Sequence, residues 1–479
     1  MMVRSRVLPV FTLAALATPA AAQAPQLLPY PRTQDLLVVD STYDGVWRFA
    51  DRNQDGDFND PGEITTYYDD VAGSIVLTNP TCIVVAPNGT AYVGDSTVDI
   101  IMALDDLDGD GNALGIGEHR VFFDGSNAGG IVMASVQGIT IDAAGRLFLA
   151  VSNAGTTGTD MILMLVDLNG DGDANDLFEA VEYCTIPGGA GSVGNSIPTK
   201  VVVAPDGNLY YAEVGSTGVV TKGVWKLTDL NHDGDCNDAG EVTLFWTPPF
   251  AASPFYWGLA VDDAGNFYVT DHSTNESIWR GRDVDGSGVI DPAEQTLFYQ
   301  TPNSTWWDVV LREDGTVLVC EAFTPDRLTA LLDLNHDGDA LDANEAHEAY
   351  DATVSGAAVL PRGAAFVRAP LLAAAPDIVP IGQSTSLVAS ASKPGDLTLV
   401  VISVGLAAPF PLPPFGLVEV DIGNFHSVGL GFANAAGEFT VPLAIPNNPV
   451  AINTYAFQAL SGDAFRLFLS NAVSLTVTP

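Results

Sequence analysis

The sequence predicts an all-β protein in which six four-stranded sheets form a radial array, followed by a separate β-sandwich. Three observations support this: an acidic phrase recurs six times, strand-like runs surround each copy, and the last part of the chain lacks the phrase. The phrase is clearest as DLNHDGDCNDAGE at residues 229–241. The other copies begin at Asp51, Asp106, Asp167, Asp283 and Asp333, giving spacings of 55, 61, 62, 54 and 50 residues. A period of this length indicates a repeat protein.

The chain begins with the features of an export signal. Arg4 and Arg6 precede an apolar run from Val7 to Ala17, and small residues follow as far as Ala22, where cleavage is expected. A membrane anchor is the weaker alternative, because the run is shorter than the roughly 20 residues that cross a bilayer. We therefore expect residues 1–22 to be a signal peptide, no membrane span in the mature chain, and a secreted, cell-surface or periplasmic protein.

Each repeat contains four strand-like runs in a fixed order. In the fifth repeat, runs at 259–261, 266–271 and 277–282 precede the acidic phrase, and EQTLFY follows it. A turn with Gly265 separates the first two runs, since glycine adopts left-handed backbone conformations at little cost. The chain enters mid-repeat at DLLVVD, so we expect GAAVLP at 356–361 to supply the missing first strand and close the ring. The neighbouring AAFVRAP is assigned to an exit linker.

Phrases such as GLAVDDAGNFYVTD resemble those of six-bladed β-propellers, in the broad class of NHL-repeat proteins and gluconolactonase-like calcium propellers. The resemblance covers residues 30–370 and implies a six-bladed propeller there, though a shared fold implies function only weakly. Residues 371–479 carry few charges and alternate as in SLVASAS and FTVPLAI, which predicts an Ig-like β-sandwich. We expect that domain to serve attachment, packing or sorting.

Composition excludes some partners. With 18 basic and 59 acidic residues the net charge is −41, which argues against nucleic acid as a partner. Charged residues make up only 16% of the chain and hydrophobic residues 47%, so disorder is a poor explanation of this charge. The four cysteines, Cys82, Cys184, Cys236 and Cys320, have no tight spacing. A disulfide remains open in an exported protein, but no pair stands out.

The acidic phrases match calcium-binding loops. Positions 1, 3 and 5 carry Asp, Asn or Asp, and Asp, with Ser287 as the one exception, and glycine at position 6 permits the sharp turn of an EF-hand loop. Two carboxylates about 4 Å apart repel by roughly 4 kcal/mol at an effective dielectric of 20, so such a loop needs a cation. We expect up to six structural Ca²⁺ ions, with Mg²⁺ less suited and solvated acidic turns without metal as the alternative.

The sequence alone does not decide which residue closes the ligand shell of these loops. Only the fifth phrase has Glu at position 12, as Glu294, whereas the other five have it at position 13. Four of those five have Asp at position 10, which could close the shell instead; the second loop lacks it and should bind most weakly. The candidate metal ligands are Asp51, Asn53, Asp55, Asp57, Asp60, Glu63, Asp106, Asp108, Asp110, Asn112, Glu118, Asp167, Asn169, Asp171, Asp173, Asp176, Glu179, Asp229, Asn231, Asp233, Asp235, Asp238, Glu241, Asp283, Asp285, Ser287, Val289, Glu294, Asp333, Asn335, Asp337, Asp339, Asp342 and Glu345.

A second candidate site lies at the mouth of the propeller, the end where each first strand begins and each second strand ends. The equivalent positions there carry acids in five of six blades, and these are Asp40, Asp95, Glu213, Asp271 and Glu321. Eight residues before the turn glycine lie Thr81, Gln137, Thr199, Trp257 and Trp307, with Ser355 in the shared blade. The acids, His272, Trp257, Trp307 and Asp308 could form a funnel for a metal ion, a cation or a sugar. Alternatively, the acids cap turns and the tryptophans fill blade interfaces.

Catalysis has less support in the sequence. There is no Gly-x-Ser-x-Gly or HExxH motif, and His272 is the only histidine expected near the mouth. The resemblance to gluconolactonase-like propellers implies a central divalent metal, which Asp40, Asp95, Asn153, Glu213 and Asp271 could hold, but that family's motif around its metal-binding Glu is absent. We predict a calcium-stabilised binding or surface-scaffold protein for an extracellular protein, glycan or small molecule. The alternative is a metal-dependent hydrolase, lactonase- or esterase-like, or a lyase, with a further ion at the acidic mouth. A quinone- or sugar-type dehydrogenase has no specific residue support.

Overall fold

The protein is described by a computed structural model from residue 35 onward. The description covers residues 35–479 apart from 53–54, 87–88, 108–109, 127, 129, 143, 153–159, 187–195, 216–220, 250–254, 273–276, 302–304, 313–314, 322–325, 368–370, 376–377, 391–396, 405, 413–415, 421–425, 433–437, 448–452, 463–466, 470–472 and 479. The predicted signal peptide, and the candidate residues Asn53, Asp108 and Asn153, lie outside these residues. Within the described part of the chain, no helix is long and apolar enough to cross a membrane.

Six antiparallel four-stranded sheets, here called blades 1 to 6, form the propeller. Blade 1 contains, from the inside outward, β24 (Pro361–Phe366), β1 (Leu36–Asp40), β2 (Gly45–Phe49) and β3 (Ile64–Asp69). Blade 2 contains β4 (Pro80–Val85), β5 (Ala91–Asp95), β6 (Ile100–Leu104) and β7 (His119–Phe123). Blade 3 contains β8 (Val136–Ile141), β9 (Leu147–Val151), β10 (Met161–Leu165) and β11 (Ala180–Thr185).

The second half of the ring repeats the same order. Blade 4 contains β12 (Pro198–Val203), β13 (Leu209–Glu213), β14 (Gly223–Leu227) and β15 (Val242–Trp246). Blade 5 contains β16 (Tyr256–Val261), β17 (Phe267–Asp271), β18 (Ser277–Gly281) and β19 (Gln295–Gln300). Blade 6 contains β20 (Trp306–Leu311), β21 (Val317–Glu321), β22 (Arg327–Leu331) and β23 (Ala346–Asp351). The first strands of successive blades pack against one another around the axis, and β20 meets β24 to complete the circle.

Blade 1 closes the ring with strands from both ends of the propeller chain, as the sequence predicts, but the closing strand is not the expected one. Residues 356–360 of the expected strand instead form a partly exposed connection after the short helix α1 (Ala352–Ser355), in which Val359 is buried. Tyr350 Oη donates to the carbonyl of Ala357 at 2.6 Å, and the Val359 N–H donates to Tyr350 Oη at 2.8 Å. These backbone groups are therefore bonded to a side chain and not to a neighbouring strand. The strand begins at Pro361 and includes part of the segment assigned to the linker.

The hydrophobic cores lie between adjacent blades. The second strands are completely buried in five blades, because both of their faces are covered by neighbouring blades. One core joins blades 2 and 3 through residues such as Ala103, Phe123 and Leu149, and similar clusters follow around the ring. The four cysteines are free and buried in these layers. The mouth and the opposite end are therefore built on rigid layers.

A separate β domain follows the propeller. Its strands are β25 (Leu371–Ala375), β26 (Ile378–Pro380), β27 (Ser384–Ser390), β28 (Leu397–Val404), β29 (Leu406–Leu412), β30 (Gly416–Val420), β31 (His426–Phe432), β32 (Glu438–Ala444), β33 (Thr454–Gly462), β34 (Leu467–Leu469) and β35 (Val473–Thr478). The sheet β25-β27-β32 and the sheet β26-β35-β33-β28-β31 share one core, which includes Leu387, Val400 and Phe457. Two sheets around one core form a β-sandwich.

Candidate metal loops and the propeller mouth

The acidic phrases form the loops between the third and fourth strands of the blades, at the end opposite the mouth. The glutamate near the end of each loop, at position 13 or, in the fifth loop, at 12, folds back into it. In the fourth loop, Glu241 Oε1 accepts the N–H of Leu230 at 2.8 Å and Oε2 accepts the N–H of Asp238 at 2.9 Å. Glu63, Glu118, Glu179, Glu294 and Glu345 make the equivalent pair of bonds in the other loops. Both carboxylate oxygens therefore brace the loop backbone.

The side chains at positions 3, 5 and 10 converge in the third, fourth and sixth loops. In the fourth loop, Asn231 Nδ2 donates to Asp233 Oδ2 at 2.9 Å and to Asp238 Oδ2 at 2.5 Å. Asn169 and Asn335 bridge the corresponding pairs of aspartates in the same way. Position 10 thus lies beside the other candidate ligands, whereas both oxygens of the position 13 glutamate already accept loop N–H groups.

Two further details concern cation binding. Asp229 Oδ1, at position 1 of the fourth loop, is buried and has no hydrogen-bond partner among the described residues. In the fifth loop, oxygens of Asp283, Asp285 and Glu294 lie within 4.8 Å of one another. This loop has one residue fewer after position 8, where Ile290 is buried, so Asp291 takes the place that Asp238 has in the fourth loop.

The same loops clasp neighbouring blades, a role that the sequence patterns did not predict. In every loop, the backbone N–H of position 8 donates to a carbonyl in the outermost strand of the preceding blade, at 2.7 to 2.9 Å. The donor and acceptor pairs are Phe58 and Ala349, Ala113 and Tyr67, Ala174 and Phe122, Cys236 and Tyr183, Ile290 and Phe245, and Ala340 and Phe298. The loops therefore link the outer, otherwise unpaired edges of the blades into a second ring.

Side chains strengthen this clasp. Asn237 Oδ1 accepts the N–H of Thr185 from the preceding blade at 2.7 Å, and the Oδ1 atoms of Asn59 and Asn175 accept N–H groups of their preceding blades in the same way. Arg120 Nε reaches across from blade 2 to the Gly172 carbonyl at 3.0 Å. The asparagine at position 9 is the sequence signal that was missed, since it belongs to the blade interface.

At the mouth, the acidic side chains mostly hold backbone. All five carboxyl groups are buried. Asp95 accepts four N–H groups at 2.6 to 3.0 Å, from Thr78, Asn79, Thr97 and Val98. Asp40 accepts three N–H groups, Asp271 accepts the Phe255 N–H at 3.0 Å, and Glu321 lies 4.0 Å from Arg327.

Glu213 accepts the N–H groups of Ile197 and Gly215 and the Ser196 hydroxyl. Burial raises the pKa of Glu213, and it raises the pKa of Asp40 as well, against the effect of these hydrogen bonds. In each blade the first residue of the inner strand is paired with the last residue of the second strand. That last residue is one of the five acids in every blade but the third, where it is Val151. The acids thus stand at one height, as the spacing predicts, and serve as caps at the strand ends.

The second residue of each inner strand lies at an irregularity in the strand pairing. A β-bulge changes the direction of a side chain, so the side chains of these residues do not follow the regular alternation between the two faces of the sheet. The set is Thr81, Gln137, Thr199, Trp257, Trp307 and Arg362. Ser355, the sequence-based choice for the shared blade, is replaced by Arg362 because the closing strand begins later than expected.

An aromatic cluster occupies one side of the mouth. The rings of Trp257 and Trp307 meet edge to face with centroids 4.6 Å apart. His272 lies 4.3 Å from Trp307 and 5.7 Å from Trp257, and the Arg362 guanidinium lies 3.5 Å from the Trp307 centroid. Burial lowers the pKa of His272, and the Arg362 charge lowers it further, so the imidazole is largely neutral at pH 7.

Asp308 belongs to an ion pair inside the propeller. Its Oδ2 lies 2.8 Å from Lys200 Nζ, which comes from blade 4, two blades away. Both residues are buried, with 3% and 8% of their surfaces exposed. In three other blades the residue at this strand position is a glycine, because the inner strands approach closely. A Cβ on Gly138, for example, would lie 2.7 Å from the Lys200 Cα. Asp308 is therefore part of the axial packing beneath the mouth.

Comparisons with solved structures give propellers of several activities. A streptogramin B lyase is 15% identical, with 66% of this chain and 84% of that chain covered and a TM-score of 0.40. A PQQ-bound aldose sugar dehydrogenase from Streptomyces coelicolor is 16% identical (64% and 87% covered, TM-score 0.40), and a putative gluconolactonase is 14% identical (64% and 84%, TM-score 0.37). No protein-family model and no curated protein matches the chain. Since the named activities differ and the likeness is distant, the function has to be argued from the chain's own residues.

Proposed function

We propose that this protein is an exported, calcium-stabilised β-propeller that binds a ligand at its mouth, as a binding or surface-scaffold protein. The observation that carries the binding role is the cluster of Trp257, Trp307 and His272, which places two indoles and an imidazole within 6 Å of one another. Aromatic side chains with a few polar groups are typical of small-molecule and sugar sites.

Binding is better supported than hydrolysis. A metal-dependent hydrolase or lyase would need the acids at the mouth to face a metal or a substrate. Asp95 instead accepts four backbone N–H groups, and Glu213 accepts two N–H groups and a hydroxyl. These carboxylates are committed to local structure, so an ion at the mouth has little support from the described acids.

Calcium is proposed as the ion of the six loops. The shared ligands are the aspartate at position 1, Asn or Asp at position 3, and position 5, which is Asp except for Ser287. Asp at position 10 joins them in four loops, Asp291 takes its place in the fifth, and the second loop has no equivalent. In the fourth loop the buried Asp229 Oδ1, which lacks a hydrogen-bond partner among described residues, is an atom that a cation would satisfy. Multiple carboxylate and amide oxygens on a flexible loop suit Ca²⁺ better than Mg²⁺. Because the loops clasp neighbouring blades, the ions would stabilise the whole ring.

Export is proposed from the N-terminal signal alone. Outside the cytosol calcium is abundant, so loops of modest affinity would stay filled. N-terminal sequencing of the protein recovered from its host should begin at Gln23. An uncleaved Met1 would contradict export by this signal.

The binding role is tested with tryptophan fluorescence of the mature chain. The probes are a panel of monosaccharides, disaccharides and small aromatic acids and alcohols. We expect at least one probe to change the emission of the wild type and of W47L, and to lose its effect in W257L. Trp47 is a suitable control because it lies on β2, the third strand of blade 1, outside the aromatic cluster at the mouth. Equal responses in W257L and W47L, or no response of the wild type to any probe, would contradict a ligand site at the mouth.

A further inference from the structure

Arg362 is an unusual cation in this protein. It is the second residue of the closing strand β24, where the pairing with β1 is irregular, and so it stands at the mouth with Trp257 and Trp307. Its guanidinium stacks 3.5 Å from the centroid of the Trp307 ring. Among the described residues, it makes no hydrogen bond and no ion pair, although a guanidinium offers five donors.

This lack of an acidic partner contrasts with the rest of the chain. The protein has 59 acidic and 18 basic residues, and buried or half-buried cations such as Arg48 and Lys200 are paired with aspartates. Burial alone lowers the pKa of Arg362 to about 10, with no neighbouring acid to offset the effect. A partly desolvated cation without a counter-charge is costly, and an anionic ligand removes that cost.

The surroundings of Arg362 define what else the ligand touches. His272 Nε2 is buried and has no hydrogen-bond partner among the residues described, so a polar ligand group that reaches it gains a second contact. Trp257 and Trp307 form an edge-to-face pair, and the half-buried Trp257 is the indole with more apolar surface left to offer. Asp271, which precedes His272, accepts the Phe255 N–H. The described cluster thus combines one unpaired positive charge, one unsatisfied imidazole nitrogen and two indoles.

We infer that Arg362, His272 and the Trp257–Trp307 pair form a site for a carboxylate carried on a ring, such as a uronic acid. The guanidinium holds the carboxylate with parallel hydrogen bonds, a geometry that arginine provides and lysine does not. The ring of the ligand packs against the indoles. This inference rests on the proposed binding function and names the ligand class of the same site. It also narrows the sequence-based expectation of a metal ion, a cation or a sugar, since Arg362 selects an anion.

Isothermal titration with matched pairs of probes tests the inference on the mature, calcium-loaded chain. The pairs are galacturonate with galactose, and benzoate with benzyl alcohol. In the wild type we expect the acid of at least one pair to bind at least tenfold more tightly than its neutral partner. A preference limited to galacturonate identifies a sugar acid, and one limited to benzoate identifies an aromatic acid.

Variants assign the preference to Arg362. R362Q should remove the tenfold preference, R362K should retain only part of it, and R282Q should leave it unchanged, since Arg282 is exposed near an acidic loop at the other end of blade 5. R362Q should also melt no lower than the wild type, because it removes an unpaired charge. Acids that bind no better than their neutral partners, or an unchanged preference in R362Q, would overturn the inference. If neutral probes bind and W257L abolishes that binding, the proposed function stands while the anion site fails; if no probe binds, both fail.

Discussion

Replacing Lys200 by methionine should destabilise the propeller strongly. The Lys200 ammonium lies 2.8 Å from Asp308, and both groups are almost completely buried. Removing one partner of a buried ion pair leaves an uncompensated charge and costs about 3 to 5 kcal/mol. For a folding unit of roughly 330 residues the unfolding entropy is about 0.7 kcal/mol per kelvin, so the melting temperature of K200M should fall by about 4 to 7 °C.

Differential scanning calorimetry of the wild type, K200M, D308L and the double variant measures this effect. The double variant should melt above K200M, because no buried charge is left without a partner. K226M is the matched control, since Lys226 pairs with Asp206 at the surface and such pairs contribute at most about 1 kcal/mol. A K200M melting temperature within about 1 °C of the wild type would refute a stabilising role for this pair.

Two other predictions concern the loops and the cysteines. D238N should remove one bound calcium per chain, whereas E241Q should lower the melting temperature and keep the ion, as measured by mass spectrometry of metals and by calorimetry; loss of the ion only in E241Q would assign the closing ligand to the glutamate instead. Burial raises the pKa of Cys82 to about 12 and of Cys236 to about 11, so the native protein should not react with a thiol reagent at pH 8, while the denatured protein should expose four thiols. Rapid reaction of the native protein would contradict the buried positions.

Much of the propeller follows from local sequence patterns. Each turn glycine fixes the position of two strands; Gly265, with a φ of 79°, separates β16 from β17 where the pattern predicts the turn. The acid six residues later then falls at the end of the second strand, as Asp271 does. Periodicity of this kind is local, so it is visible in one sequence.

The closing strand was harder to predict because it has no turn glycine beside it. The apolar run at 356–361 has the composition of a strand, but Tyr350 and Asp40 bind its backbone instead. The inner strand of blade 1 therefore begins later than its composition predicts, and Arg362 was not expected to be a residue of the mouth. The available signal was the acid at the end of the second strand. In each blade that residue pairs with the first residue of the inner strand, and for Asp40 the partner is Pro361.

The clasp and the ion pair could not be predicted, because they join residues that are distant in sequence. Phe58 donates to Ala349, and Lys200 pairs with Asp308, across interfaces that depend on how the blades are arranged. The role of the loop glutamates was ambiguous for a different reason. A glutamate beside several aspartates fits either a metal ligand or a brace for backbone N–H groups, and only the folded loop separates the two.

The most direct test of calcium-stabilised blades is the metal content and melting temperature of residues 23–479, before and after chelation and again with calcium restored. We predict about one calcium ion per acidic loop and a large drop in melting temperature on chelation that calcium reverses. An absence of bound calcium, with unchanged melting after chelation, would contradict this account and leave the acidic loops as clasps that need no ion.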